Sequence, residues 1–328
     1  MRNSLFLVLA IILCGVNASG AGPTSLKHVQ TISLAGVKGR CDHFAVDVKG
    51  QRLFVAALGN NTVEVIDLAA GKRGHSISGL QKPQGVLFLP ELNRLCVAGG
   101  GDGTLKIFDA ANLKLLGSIG SLDDADNLRR APEGGAVFLG YGDGALAVID
   151  VKRGERIGES KLKGHPESFQ LERKGNRIFI NLPDARQIAV VDREKRSVAA
   201  TWPMEKFGAN FPMALDDGTG RLFVGCRKPP RLVVLDSSDG KLVADLAISG
   251  DTDDLFYDAK RKRLYISCGE GLVDVVEQTS TDHYQTLEHV TTAGGARTSF
   301  YSPELDRYYV AVPERGNQQA QILIFQPE

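Results

Sequence analysis

The chain has 328 residues, 43% of them hydrophobic, which is enough to build a large core. Its 39 Lys and Arg residues balance its 39 Asp and Glu residues, so the formal net charge is zero. Because binding to a phosphate backbone needs an excess of clustered Lys and Arg, this balance argues against a nucleic-acid partner.

The N-terminal segment has the features of an export signal. An unbroken apolar run covers residues 5–13 and is followed by small residues suited to a cleavage site. The run is shorter than the roughly 20 residues that span a bilayer, and Leu13 before Cys14 disfavours lipidation. We therefore predict a bacterial-type signal peptide over residues 1–21 and a mature domain over 22–328. The mature chain is expected to be periplasmic or secreted, without a transmembrane segment.

The first unit of the mature chain predicts four short strands separated by turn residues. They cover residues 44–48, 53–57, 63–67 and about 75–80. The second strand is almost wholly apolar, which suits a sheet that is packed on both faces. An aspartate ends the third strand in five units, and Asp at this place favours turns by accepting backbone N–H bonds. These turn residues are Asp67, Asp109, Asp150, Asp192 and Asp236.

A short phrase, first seen as Arg52-Leu53-Phe54-Val55, occurs seven times at intervals of 41 to 44 residues. The copies begin at Arg52, Arg94, Ala136, Arg177, Arg221, Arg263 and Arg307. A period of about 40–50 residues with several strands per unit is typical of a β-propeller blade. We predict an all-β, seven-bladed propeller with four antiparallel strands per blade, in one domain and as a monomer.

The ends of the chain predict how the ring closes. The last unit stops after its third strand, over residues 321–325, while residues 27–34 form an unmatched strand-like run near the N-terminus. We expect this run to supply the fourth strand of the last blade, because closure removes exposed sheet edges. Deletion of residues 23–34 is then expected to open the ring.

Four cysteines remain outside the predicted signal. An even number permits disulfides in an exported protein. Cys226 and Cys268 occupy the same repeat position in neighbouring units. Cys96 lies in an apolar strand, which favours the interpretation that it is a small core residue. With Cys41 the fourth, no particular bridge is predicted.

The units resemble the YVTN-repeat, YncE-like family of seven-bladed propellers. The resemblance rests on the seven repeated phrases and on third strands such as residues 62–67 and 103–109, and it covers nearly all of the mature chain. It implies the propeller fold and leaves the activity open, since the family's exported and surface members mostly have no assigned role.

The loops leading into the innermost strands depart from this repeat. In the family the turn usually reads Pro-x-Gly, and here only Pro83-Gln84-Gly85 keeps it. The other units carry different polar or charged groups. A repeat that only builds the fold does not need such variety, whereas a binding site formed by loops does need it. We predict a ligand-binding site at one channel mouth. Its residues are Asp42, His43, Gln84, Asp126, Asn127, His165, Glu167, Ser168, Asn210, Asp253, Asp254 and Arg297.

The loops after the second strands are expected to open on the same side. Their polar residues are Asn60, Asn61, Tyr141, Asp184, Arg186, Arg227, Lys228, Glu270 and Arg315. Of these, Tyr141 and Arg186 flank the units of Asp126 and Glu167, and we add them to the predicted site.

Several interpretations of this site stay open. In a structural one, Arg297 pairs with Asp253 and Asp42, as buried charges usually do. In the one we favour, Arg297 grips an anionic group of a small polar ligand, or the site takes a protein partner. A third is a lactonase- or lyase-type enzyme that uses a divalent cation, and a fourth is a protein-interaction scaffold.

The metal hypothesis has a preferred ligand set. Only groups from neighbouring blades can share one ion, which selects His165, Glu167 and Asp126. Oxygen ligands would favour calcium or magnesium, whereas histidine would also admit zinc.

Overall fold

The computed structural model describes residues 24–328, so the predicted signal peptide over residues 1–21 lies outside the described residues. Strands fill the described chain as seven four-stranded antiparallel sheets. One 3-10 turn, Leu58–Asn60, joins two strands. No helix in residues 24–328 is long and apolar enough to cross a membrane.

Six of the seven blades take their four strands in chain order, from the innermost to the outermost. Blade 1 comprises β2 (Phe44–Asp47), β3 (Arg52–Ala57), β4 (Thr62–Asp67) and β5 (Lys72–Ile77). Blade 2 comprises β6 (Pro83–Leu89), β7 (Arg94–Gly99), β8 (Thr104–Asp109) and β9 (Leu115–Ile119). Blade 3 comprises β10 (Leu128–Arg130), β11 (Ala136–Tyr141), β12 (Ala145–Asp150) and β13 (Glu155–Lys161).

The next three blades repeat this order. Blade 4 comprises β14 (Phe169–Leu171), β15 (Arg177–Leu182), β16 (Gln187–Asp192) and β17 (Ser197–Pro203). Blade 5 comprises β18 (Gly208–Asp216), β19 (Arg221–Lys228), β20 (Pro230–Asp236) and β21 (Leu242–Ala247). Blade 6 comprises β22 (Thr252–Asp258), β23 (Arg263–Cys268), β24 (Leu272–Ser280) and β25 (His283–Thr291).

Blade 7 joins the two ends of the chain. Its strands run in the order β26 (Thr298–Ser302), β27 (Arg307–Val312), β28 (Gln321–Pro327) and β1 (Leu26–Ser33). The innermost strands contact one another in succession, and β26 contacts β2, so the ring is closed. The chain is a seven-bladed β-propeller, and the predicted closing strand is confirmed.

The apolar second strands lie between neighbouring sheets, as predicted. Every residue of β3 after Arg52 is buried, and separate clusters of buried residues join each blade to the next. The fourth strand of blade 1 starts at Lys72, about three residues earlier than expected. The turn is completed at Gly71, whose φ of +64° favours glycine, and the strand begins directly after it.

The repeated polar residues have structural roles. The Asp67 carboxylate accepts the Ala70 N–H at 2.8 Å, and the other four third-strand aspartates likewise accept backbone N–H groups of their turns. Arg177 pairs with Glu172 and donates to the Ser237 carbonyl of the next blade at 2.6 Å. The repeated arginine therefore ties neighbouring blades together in this case, and the turn interpretation of the aspartates is confirmed.

All four cysteines of the described chain are buried and unbridged. Burial raises the pKa of the Cys41, Cys96 and Cys226 thiols to about 12, so they stay protonated at neutral pH.

Candidate functional site

A polar cavity of about 170 Å³ lies at the end of the ring where the innermost strands begin. We call it the mouth cavity, and all seven blades contribute to it. It is lined by Arg40, Asp42, His43, Gln84, Asp124, Asp126, Asn127, His165, Glu167, Ser168, Phe211, Arg227, Asp253, Asp254, Arg297 and Thr298.

Eleven of the fourteen residues predicted from the sequence line this cavity, and three do not. Asn210 is fully buried between blades, where its Nδ2 donates to Asn181 Oδ1 at 3.0 Å. Tyr141 donates its hydroxyl to Glu159 at 2.7 Å, and Arg186 lines a neighbouring groove between blades 4 and 5. Their places are fixed by packing that the loop alignment does not show.

The strand geometry accounts for the displacement of Asn210. Successive side chains of a strand point to opposite faces, so Asn210 enters the blade interface while Phe211 faces the cavity. The pairing of β18 with β19 is also irregular between Asn210 and Met213, which shifts the register at this point.

One glycine brings two blades close together at the cavity. A Cβ on Gly85 would lie 2.0 Å from the Asp126 carbonyl oxygen, so only glycine fits there. The retained Pro83-Gln84-Gly85 turn therefore sets the position of the Asp126 loop in the next blade.

Three arginines surround one carboxylate on one side of the mouth cavity. Arg297 Nε lies 3.0 Å from Asp253 Oδ2, Arg227 Nη2 donates to Asp253 Oδ1, and Arg40 Nη1 lies 4.0 Å from Asp253. Arg297 also donates to Asp251 at 2.8 Å. We call these five residues the arginine wall. Arg297 thus pairs with Asp253, as the structural interpretation predicts, but its second partner is Asp251 and not Asp42.

The sequence alignment did not select all of the arginine wall. Arg40 lies two residues before the predicted Asp42. Arg227 belongs to the wider set of residues after the second strands, from which only Tyr141 and Arg186 were added to the predicted site. Arg227 is fixed over the Phe211 ring, 3.8 Å from its centroid, and its Nε donates to the Thr252 carbonyl at 2.7 Å. This stacking directs its guanidinium into the cavity.

The cavity lining also carries four carboxyl groups and two histidines, which adjoin the arginine wall at Arg40 and Asp42. We call Asp42, Asp126, Glu167 and Asp254, with His43 and His165, the acidic wall. His43 Nδ1 lies 3.1 Å from Asp42 Oδ1 and 3.8 Å from Asp126 Oδ1. His165 Nε2 lies 3.8 Å from Asp126 Oδ2. Asp126 therefore lies between two imidazole rings from blades 1 and 4.

Both histidines are cationic at neutral pH. Burial works to lower the pKa of His43, but Asp42 outweighs it and raises the pKa to about 10. Burial opposes charge on His165 as well, yet Asp126 and the Gly142 carbonyl, which accepts from Nδ1 at 2.8 Å, raise its pKa to about 9. For Asp42, burial is outweighed by the contact with His43, and its pKa lies below the ordinary value.

Two carboxyl groups of the acidic wall have unused hydrogen-bond acceptors. Asp126 is more than nine-tenths buried, and its Oδ1 has no hydrogen-bond partner. The Glu167 side chain makes no hydrogen bond or ion pair within residues 24–328. Burial, and then the charge of Asp126, raise the pKa of Glu167 to about 8. Burial also raises the pKa of Asp254 to about 7. The acidic wall thus holds four carboxyl groups against two histidine cations, and two of the four keep their protons more readily than an ordinary carboxyl does.

The predicted metal ligands share the cavity without forming a ligand set. In the described part of the chain no group of three or more His, Cys, Asp or Glu side chains is arranged to hold a metal ion. His165 would also have to lose its proton, since only a neutral imidazole binds a metal.

Comparisons with known proteins support the fold and no more. No family model and no curated protein matches the sequence, so the YVTN resemblance remains a resemblance. A chain in the crystal structure of a mitotic checkpoint complex superposes with a TM-score of 0.78 at 14% identity, over 98% of both chains. A chain of Kuenenia stuttgartiensis hydrazine synthase has a TM-score of 0.74 at 16% identity, over 87% of this chain and 94% of its own. Similarity at this identity shows the propeller fold alone.

Proposed function

We propose that this chain binds a small polar ligand through an anionic group at the mouth cavity. The observation that carries the proposal is the convergence of charged side chains from all seven blades on one small cavity. A repeat with a purely structural role does not need this convergence, whereas a binding site held by a rigid scaffold depends on it.

Two hydrogen-bond donors of the arginine wall are unused. Within residues 24–328, Nη2 of Arg297 and Nη1 of Arg227 make no hydrogen bond, although other nitrogens of both side chains hold acids in place. Two guanidiniums fixed in this way present pre-oriented donors to a carboxylate or phosphate. The anchoring lowers the entropy cost of binding, because these side chains are already ordered.

The size of the cavity limits the ligand. A volume near 170 Å³ is close to the roughly 150 Å³ that accommodates benzene. The part of the ligand inside the cavity therefore has on the order of six to eight non-hydrogen atoms. Export remains part of the proposal, since it rests on the N-terminal sequence, and the ligand would then be met outside the cytoplasm.

A broad interaction face has less support in the described chain. The large exposed apolar side chains are on the outermost strands of six different blades, so they are distributed around the rim. They are Val29, Leu115, Leu116, Ile157, Val198, Leu242 and Leu287. These scattered residues do not form the contiguous apolar patch that would mark an interaction site.

Thermal shift with a panel of small probes tests the proposal. The panel contains straight-chain carboxylates, phosphate and amino acids, applied to the wild type, Arg297→Gln and Arg186→Gln. At least one probe should raise the melting temperature of the wild type by several degrees, since saturation at 100 times Kd adds about 2.7 kcal/mol. The shift should be lost in Arg297→Gln and retained in Arg186→Gln, which removes the same charge outside the cavity. The absence of any shift, or an equal shift in Arg297→Gln, would refute the proposal.

A further inference from the structure

We infer that the ligand of the mouth cavity is a zwitterion, with a protonated amine on the acidic wall and a carboxylate on the arginine wall. This inference rests on the proposed function and specifies its ligand class. It starts from the unpartnered oxygen of Asp126 and the unpartnered carboxyl of Glu167, which face one cavity from adjacent blades.

The two walls differ in their balance of cations and carboxyl groups. The arginine wall has three guanidiniums against two carboxylates, Asp251 and Asp253, and so has one cation in excess. The acidic wall has four carboxyl groups against two imidazoles, and the charges of Arg40, 3.1 Å from Asp42, and of the buried Arg129 also act on it. One of its carboxyl groups, Glu167, keeps its proton near neutral pH, and a bound cation would favour its ionised form. A ligand with one charge of each sign complements both.

An ammonium group suits the unpartnered oxygens. It offers three donors, and a carboxylate accepts without donating. A buried acceptor with no partner costs free energy that a bound donor recovers. Burial, and then the charges of Asp126, Asp253 and Asp42, raise the pKa of Glu167, and His165 offsets them only in part. Asp254 is different, since its Oδ2 already accepts the Ser299 N–H at 2.8 Å.

A metal ion is the competing occupant of the acidic wall. It needs several ligand atoms at fixed short distances, and no such group is present in residues 24–328. An ammonium tolerates a looser arrangement, with donors at ordinary hydrogen-bond distance from oxygens on two different blades.

Isosteric probes separate the two ends of the ligand. Calorimetric titration with γ-aminobutyrate, valerate and pentylamine compares the same chain length with both charges, with the carboxylate alone and with the amine alone. We expect γ-aminobutyrate, or its shorter homologue β-alanine set against butyrate and butylamine, to bind at least tenfold more tightly than either single-charge analogue. Equal or tighter binding of the plain carboxylate would overturn the zwitterion inference and leave the proposed function standing. Equal or tighter binding of the plain amine would overturn both. No binding by any of these probes would overturn the inference, and it would overturn the proposed function as well if the thermal-shift panel also gave no shift.

Variants assign each end to its wall. Glu167→Gln and Asp126→Asn should reduce the affinity for the zwitterion to that of the plain carboxylate, while leaving carboxylate binding within about twofold. Arg297→Gln should weaken both probes. Glu205→Gln, an exposed acid outside the mouth cavity, serves as the matched control and should change neither. Unaltered selectivity for the zwitterion in both acid variants would overturn the inference.

The metal is tested in the same material. Calcium, magnesium and zinc are added singly, with and without chelator, to the wild type and to Asp126→Asn. No shift of the melting temperature that depends on Asp126 is expected. A shift that the chelator reverses and that Asp126→Asn abolishes would show that the acidic wall holds a metal ion and would overturn the inference.

Discussion

Deletion of residues 23–34 is expected to prevent the mature chain from folding into a soluble, closed ring. The deletion removes β1, which pairs with β28 from Leu26 opposite Pro327 to Ser33 opposite Gln321. It also removes three buried apolar side chains, Leu26, Ile32 and Leu34. Truncating each costs about 2–5 kcal/mol, and together they approach the 5–15 kcal/mol that stabilises a typical domain.

The exposed edge of β28 adds a second consequence. Unpaired N–H and C=O groups along a long apolar strand promote association, so aggregates are expected on size-exclusion chromatography. A milder pair of variants keeps the test quantitative. Ile32→Ala should lower the free energy of unfolding in urea by about 2–4 kcal/mol, whereas Val29→Ala, 46% exposed on the same strand, should change it little. Equal stability of the two variants would contradict the role of the closing strand.

Glu167→Gln is expected to stabilise the unliganded protein above neutral pH. The folded chain keeps the Glu167 proton up to about pH 8, whereas in the unfolded chain the carboxyl loses it near the ordinary pKa of 4.5. Between these pH values the folded state binds more protons, so its stability falls as the pH rises. Glutamine has no proton to lose. The gain should reach on the order of 2 kcal/mol at pH 8.5, below the full value implied by the pKa shift because the site relaxes.

Chemical denaturation at several pH values measures this gain. It should shrink as the pH falls from 8 and vanish below about 4.5, where both states keep the proton. Glu205→Gln should show no such dependence on pH. A loss of stability in Glu167→Gln at pH 8.5 would mean that the carboxylate has a stabilising partner. A gain would match the usual trade of stability for function at a binding site.

The fold could be predicted from the sequence because its causes are local and repeated. The phrase that begins at Arg52 gives the period, and turn residues such as Asp67 and Gly71 mark the hairpins. Closure by residues 27–34 followed from a count of strands at the two ends. The start of β5 could not be predicted in this way, because its exposed residues, Lys72 to His75, carry no apolar signal.

The site was predicted by a different kind of signal, namely departure from the repeat. That signal selected loop positions, and most of those side chains meet in one cavity. It could not predict in which direction each side chain points. Arg186 follows the second strand of blade 4 and Arg227 lies near the end of the second strand of blade 5, yet only Arg227 stacks on Phe211 and enters the mouth cavity. Arg186 has a φ of +47° and lines the groove outside.

The ion pairs within the site could not be predicted from the sequence either. Asp251 and Arg40 are neighbours in sequence to predicted residues, but their contacts with Arg297 and Asp253 depend on how three loops from different blades meet. Which carboxyl groups remain unpartnered depends on the same contacts. The contrast between the arginine wall and the acidic wall therefore emerges only from the folded ring.

A crystal structure of the mature chain soaked with γ-aminobutyrate tests the central claim most directly, namely that the mouth cavity is a binding site. We expect density for the ligand inside the cavity, with its carboxylate on Arg297 or Arg227 and its amine on Glu167 or Asp126. Density for water alone in the cavity, with the ligand bound elsewhere or absent at ten times the Kd measured in solution, would contradict the claim.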